Sequence, residues 1–140
     1  MSRLNNINNI TGVFKRISAD LSDFTQRETI RYILTLRNQL ISDPPIGTPI
    51  DTGWASNNWW YSDSGPATGF ASDINTAKQR QDTDTQSIAE FKLNGQTVHI
   101  TNNVPYIGRL NNGYSNQTPA GFIDRAILTA GIKVKFNGSA

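Results

Sequence analysis

His99 is the one histidine among 140 residues, and the chain has no cysteine and a single methionine. Few side chains are therefore on hand for proton transfer, thiolate chemistry or metal ligation. His99 falls in an alternating stretch where it is expected to face Glu90 across a strand pair on the solvent side. No serine nucleophile signature or acidic cluster lies near it. Asp63, Asp73, Asp82 and Asp84 occupy a polar stretch without the spacing of an EF-hand, and no glycine-rich loop suited to phosphate is present. The expectation is a protein that is not an enzyme, with no catalytic residue, no cofactor and no metal site. The remaining chemistry is aromatic: Trp54, Trp59, Trp60 and Tyr61 place four rings in eight positions. Exposed rings stack on sugars and unpaired bases. Trp59 and Trp60 are adjacent, so in a strand they point to opposite faces. One then enters the core and the other reaches an interface, where Trp and Tyr are favoured. Trp54, Trp59, Trp60 and Tyr61 are accordingly candidate interface residues.

Charge does not choose a partner. Thirteen Lys and Arg against eleven Asp and Glu give +2, too mild for dedicated binding to DNA through phosphate neutralisation. Arg16, Arg27, Arg31 and Arg37 lie along one long helical pattern, offset by Asp20, Asp23 and Glu28. Such residues usually form a solvated helix face; in a ring they would line a channel or meet an acidic neighbour, which makes Arg27 and Arg31 further interface candidates. The first residues lack a secretory signal, and no window approaches eighteen apolar residues, so a soluble protein with no membrane partner is expected. Hydrophobic content of 36% suits polar loops and apolar surface left for neighbours to cover.

These side chains need elements to hold them. One domain is expected over 1–140. Residues 1–11 read as a flexible polar arm, with Leu4, Ile7 and Ile10 every third residue. From 13 to 41, apolar residues recur three or four apart without an internal proline, which predicts a helix of roughly 40 Å at ~1.5 Å per residue. The phase slips between Phe24 and Ile30, which would fit a break or kink near Thr25, and Asp43-Pro44-Pro45 ends the pattern. Residues 62–85 read as a long polar loop, with a short helix possible over 73–80 opened by Ser72 or Asp73. Asn94-Gly95 between 88–93 and 96–101 predicts a two-residue hairpin pairing Phe91 with Val98 and Ala89 with Ile100, and Glu90 with His99 on the other face. Short helices are expected over 107–110 and from Ala120 to Thr129, with Gly131 as a stop, and 132–136 alternates like a last strand. The fold class that follows is α+β: a long N-terminal helix packed on a small, mainly antiparallel sheet, with short additional helices.

Three turn-forming strings stand in order along the chain: Thr48-Pro49-Ile50-Asp51-Thr52-Gly53-Trp54, Asn102-Asn103-Val104-Pro105-Tyr106, and Asn116-Gln117-Thr118-Pro119-Ala120-Gly121-Phe122. Pro49 fixes φ, Asp51 can bond its own downstream amides, and Gly53 is free to take positive φ. Asp51, Thr52, Gly53, Pro105, Tyr106, Pro119 and Gly121 are expected to shape turns beside the sheet. In order and spacing, residues 48–126 resemble the neck, tail-completion or minor tail component proteins of tailed bacteriophages, where "TPVDTG", "NNxPY" and "QAPxG" recur. In that family "LEYG" often follows the tyrosine segment; here Leu110-Asn111-Asn112-Gly113 puts Asn111 in place of the acid. The aromatic of the family's "GNW" string corresponds to Trp59. The resemblance implies a structural virion protein of the head–tail junction, made in the bacterial cytoplasm. It would be a ring-forming adaptor joining the capsid connector to the tail. Its implied partners are copies of itself, connector or adaptor proteins, and the tail tube or terminator, with genomic double-stranded DNA passing through without sequence-specific binding. A tail terminator capping the tube is the neighbouring reading, and a small aromatic-lined module for a glycan or single strand is the reading from another class.

Overall fold

The computed structural model describes residues 3–133, and its elements run α1 (Arg3–Ile41), β1 (Trp60–Ser62), α2 (Ile74–Ala89), β2 (His99–Thr101), α3 (Ile107–Asn111) and α4 (Phe122–Lys133). The fold is α+β, with one long helix, a two-stranded antiparallel sheet and three shorter helices. Helix α1 is continuous through the expected break: Thr25 Oγ1 donates to the Leu21 carbonyl at 2.8 Å and Thr29 Oγ1 to that of Thr25 at 2.7 Å. The slip in apolar phase marks a change in what the helix faces. Residues 9–23 are exposed all round, whereas from Phe24 onward the helix buries Glu28, Ile33, Arg37 and Leu40 against the body. The arm expected over 1–11 is corrected too, since α1 starts at Arg3.

Among the described residues the body has two apolar clusters. Ile33 of α1 meets Tyr61, Ile88 and Phe91, with Ile30, Leu34, Val98 and Ile100 around them. Farther along α1, Leu40 meets Trp59, Phe122 and Ala126. Ile100 packs against both clusters, so β2 is the seam between them. At the end of α1 the chain turns back through a cis Pro44–Pro45 peptide. The backbone amide and Oγ1 of Thr48 both donate to the Leu40 carbonyl, at 3.0 and 2.7 Å. An otherwise orphaned helix-end carbonyl is thereby satisfied.

The hairpin expected at Asn94-Gly95 is not formed. Residues 74–89 are helix, and β2 pairs instead with β1 in the register Trp60↔Thr101, Tyr61↔Ile100, Ser62↔His99. Glu90 caps the end of α2 rather than facing His99. Asn94 and Gln96 still make a local turn, exchanging side-chain to backbone hydrogen bonds around Gly95, whose φ is +84°. The loop expected over 62–85 ends at Asp73, whose carboxylate accepts from the Thr76 amide at 3.0 Å and caps α2. The helix expected only to Arg80 runs nine residues farther, to Ala89. Helix α4 runs through Gly131, the expected stop, to Lys133; of the strand expected over 132–136, residues 132 and 133 are helical and 134–136 lie outside the described residues.

Candidate functional site

The three turn-forming strings, far apart in sequence, meet beside α3 around one groove of about 400 Å³. The first string is anchored from below. Thr48 is fully buried, and its Oγ1 accepts from Trp59 Nε1 at 2.8 Å while donating to Leu40. Gly53 has φ +84°, as its place in the turn requires. Its carbonyl accepts from the Asn57 amide, Asn57 Nδ2 and Ser56 Oγ. Asp51 and Thr52 are left exposed at the groove's edge.

The second string is held by its asparagines. Asn102 Oδ1 accepts from the Val104 amide at 3.0 Å and its Nδ2 donates to the Ala55 carbonyl at 2.8 Å, while Asn103 Nδ2 reaches Ala67 and Gly69. Tyr106 is thereby brought 5.5 Å from Trp54 between ring centroids, and Phe70 meets Trp54 edge-on at 5.1 Å. Trp54 Nε1 donates to the Ala71 carbonyl at 2.7 Å, so the indole is fixed in the wall. Burial first, and the Asp51 charge second, raise the Tyr106 pKa, keeping the phenol protonated at neutral pH.

The third string is stitched to the first. Gln117 Oε1 accepts from the Ile50 amide at 2.7 Å, and buried Thr118 donates through Oγ1 to the Gly47 carbonyl at 2.8 Å. Pro119 supplies a carbonyl to Arg125. Gly121, with φ +81°, donates its amide to the Asn111 carbonyl at 2.7 Å. Asn111 accepts through Oδ1 from the Ile123 amide at 3.0 Å in the first turn of α4. An acidic side chain suits such a place, near the positive end of a helix dipole; the amide oxygen satisfies the same orphan donor without the charge. Asn111→Ala is expected to cost about 1 kcal/mol and Asn111→Asp to be at least as stable as the parent. Urea titration followed by tryptophan fluorescence checks both; an alanine variant with unchanged stability would remove the capping role.

On the outer side of the groove Tyr114 is 78% exposed, with the Arg109 guanidinium 5.9 Å from its ring centre. The groove is thus lined by the rings of Trp54, Tyr106 and Tyr114, with Arg109 and Asp51 as its charged lining residues. That set suits docking of a chain segment or planar group through stacking and a few hydrogen bonds.

The other candidates sit elsewhere. Trp59 and Tyr61, expected at an interface, are 4% and 5% exposed and belong to the two core clusters. Trp59 packs against α1 and α4 and Tyr61 against α1 and α2, so both rings face inward. Burial, and then Asp63, raise the Tyr61 pKa. Trp60 points the other way, half-buried beneath the Arg80 guanidinium at 4.8 Å, with its Nε1 buried and unpartnered. Arg27 and Arg31 are exposed, Arg31 pairing with Glu28 at 2.9 Å. Arg37, expected on the solvated face, is buried, donating to Thr85 Oγ1 and the Gln81 carbonyl of α2. Burial lowers its pKa, opposed by Asp84 and Asp82. His99 is half-buried in β2. Missed by sequence reasoning were Arg109, on α3, and Tyr114, in the Asn-rich turn after it, both of which line the groove; spacing after Tyr106 was the available signal. Among the described residues no three His, Cys, Asp or Glu side chains converge as metal ligands, and no helix is long and apolar enough to cross a membrane. No protein-family model, curated protein or solved structure matches the chain.

Proposed function

We propose that this chain is a structural component of the head–tail junction of a tailed bacteriophage, a ring-forming neck or tail-completion adaptor between capsid connector and tail. The observation that carries the reading is the meeting of the three strings: Asp51, Thr52 and Trp54, then Tyr106, then Gln117, all line one groove. Strings kept only to make separate turns have no need to share a surface. A shared groove with rigid aromatic walls and an exposed rim is what a repeating head-to-tail contact requires, because a heterologous interface joins unlike faces of identical subunits. No catalysis is part of this reading.

Two measurements test it. Gradient-purified particles from a producing culture should contain the chain at a closed-ring ratio to the portal protein, about six or twelve copies; absence from particles would end the virion reading. Within particles the groove rim should matter: Arg109→Glu combined with Tyr114→Ala, both at exposed positions, should leave the melting transition within about 0.5 kcal/mol of the parent while heads and tails accumulate unjoined. Normal joining by that variant would take the groove out of the contact. The aromatic walls also support the binding-module reading, now resting on Trp54 with Tyr106 and Tyr114 because Trp59 and Tyr61 are buried. A shift in Trp54 fluorescence on adding an oligosaccharide or a single strand would favour it.

A further inference from the structure

Residues 9–23 of α1 are exposed on every side, a stretch of roughly 22 Å at ~1.5 Å per residue. A lone helix of that length is marginal in water. Yet Ile10, Phe14, Ile17 and Leu21 stand on it 67%, 70%, 58% and 62% exposed. Their separations of four, three and four residues follow a heptad seam, with Phe14 and Leu21 at one core position and Ile10 and Ile17 at the other. Ile10, Val13, Phe14 and Ile17, spaced i, i+3, i+4 and i+7, enclose with Asn9 a shallow apolar depression of about 270 Å³. Four side chains in that arrangement form the hole that accepts one apolar knob from a facing helix. The same stripe therefore offers both knob and hole.

We infer that this half of α1 is the surface through which one copy of the chain binds a second copy. Self-complementarity favours that occupant, and the surrounding charge disfavours others. Lys15 and Arg16 are balanced by Asp20 and Asp23 over residues 9–23, so the segment has no net attraction for an anionic membrane or for nucleic acid. In a parallel pair the positions flanking the seam set Val13 beside Ser18 and Asp20 beside Thr25, and no like charges meet. The exposed apolar side chains amount to roughly 500 Å² per copy, so at full coverage a pair would reach about 1,000 Å², the lower bound for a specific interface. The seam ends where Glu28 and Arg31, its next positions after Phe24, pair with each other at 2.9 Å and the helix joins the body.

The inference stands apart from the virion reading, because purified protein tests it whatever particle the chain belongs to. Sedimentation equilibrium of the full chain from about 1 to 100 μM should show the mass rising to at least that of two chains. Phe14→Glu with Ile17→Glu should weaken association by about 100-fold or more while its tryptophan-monitored melting stays that of the parent. Lys15→Glu, on the opposite face, should associate like the parent. A parent that stays monomeric across the range overturns the inference, as does a double variant that associates unchanged. A monomer that instead partitions into vesicles of phosphatidylcholine and phosphatidylglycerol overturns it as well.

Discussion

Asp84→Ala is expected to lower the stability of the folded chain by about 3 kcal/mol, the largest loss expected from any single charged side chain of α2. Asp84 is 4% exposed. One of its oxygens accepts from the Tyr61 amide at 2.9 Å and the other from Arg80 Nε at 2.7 Å, while Arg80 also donates to the Tyr61 carbonyl at 3.1 Å. Between them, these two side chains satisfy the edge of β1 that β2 leaves open. They do for Tyr61 what a third strand would do, and they close an edge that would otherwise invite another chain. Removing the carboxylate orphans a buried amide and takes away the anion nearest in effect to buried Arg37, whose charge burial already disfavours. Asp84→Asn keeps an acceptor for Tyr61 but not the charge, so it should fall between alanine and parent. Asp82→Ala, at an exposed position, should stay within about 0.5 kcal/mol. Chemical denaturation read through the three tryptophans ranks the set; equal stability of the Asp84 and Asp82 variants would show that the edge does not depend on the pair.

That same pair explains why α2 was hard to read. Its inward positions are Ala77, Arg80, Gln81, Asp84 and Ile88, at helical spacing, but three of the five are polar. Apolar periodicity was therefore silent across 74–89, and Ile88 and Phe91 read as the start of an alternating strand. Asn94-Gly95 strengthened that reading because the dipeptide does form a turn, although one that leads out of a helix rather than between strands. Where the buried face is apolar, as from Ile30 to Ile41 of α1 or at Phe122 and Ala126 of α4, spacing placed the helix within a few residues. The groove was half legible. Its turn strings were visible as proline, glycine and asparagine chemistry, and Gly53 and Gly121 do take positive φ. Their convergence was not visible, because it depends on side-chain bonds across 67 and 71 residues, from Ile50 to Gln117 and from Gly47 to Thr118. No local pattern encodes a partner that distant.

Alanine in place of glycine should have opposite effects at two positions of the chain, and the contrast isolates packing from conformational entropy. At Gly47 a Cβ would run into the backbone carbonyl oxygens of Ser42, Gln39 and Leu40. Backbone cannot move aside cheaply there. Leu40 is already bonded twice by Thr48, Thr48 is bonded by Trp59, and the Gly47 carbonyl is bonded by Thr118. Gly47→Ala must therefore push the first string away from the end of α1 and loosen its tie to the third. A loss of at least about 3 kcal/mol is expected, beyond the usual range for added volume in a core because the obstacle is main chain. At Gly12, inside the exposed half of α1, nothing lies within 4 Å of a Cβ. There alanine only restricts the unfolded chain and favours helix, which is worth up to about 1 kcal/mol in the stabilising direction. Thermal unfolding of the two variants beside the parent should move the midpoint down for Gly47→Ala and level or up for Gly12→Ala. A Gly47 variant melting with the parent would mean that the first string is not locked against the helix end, and the groove it builds would lose its fixed floor.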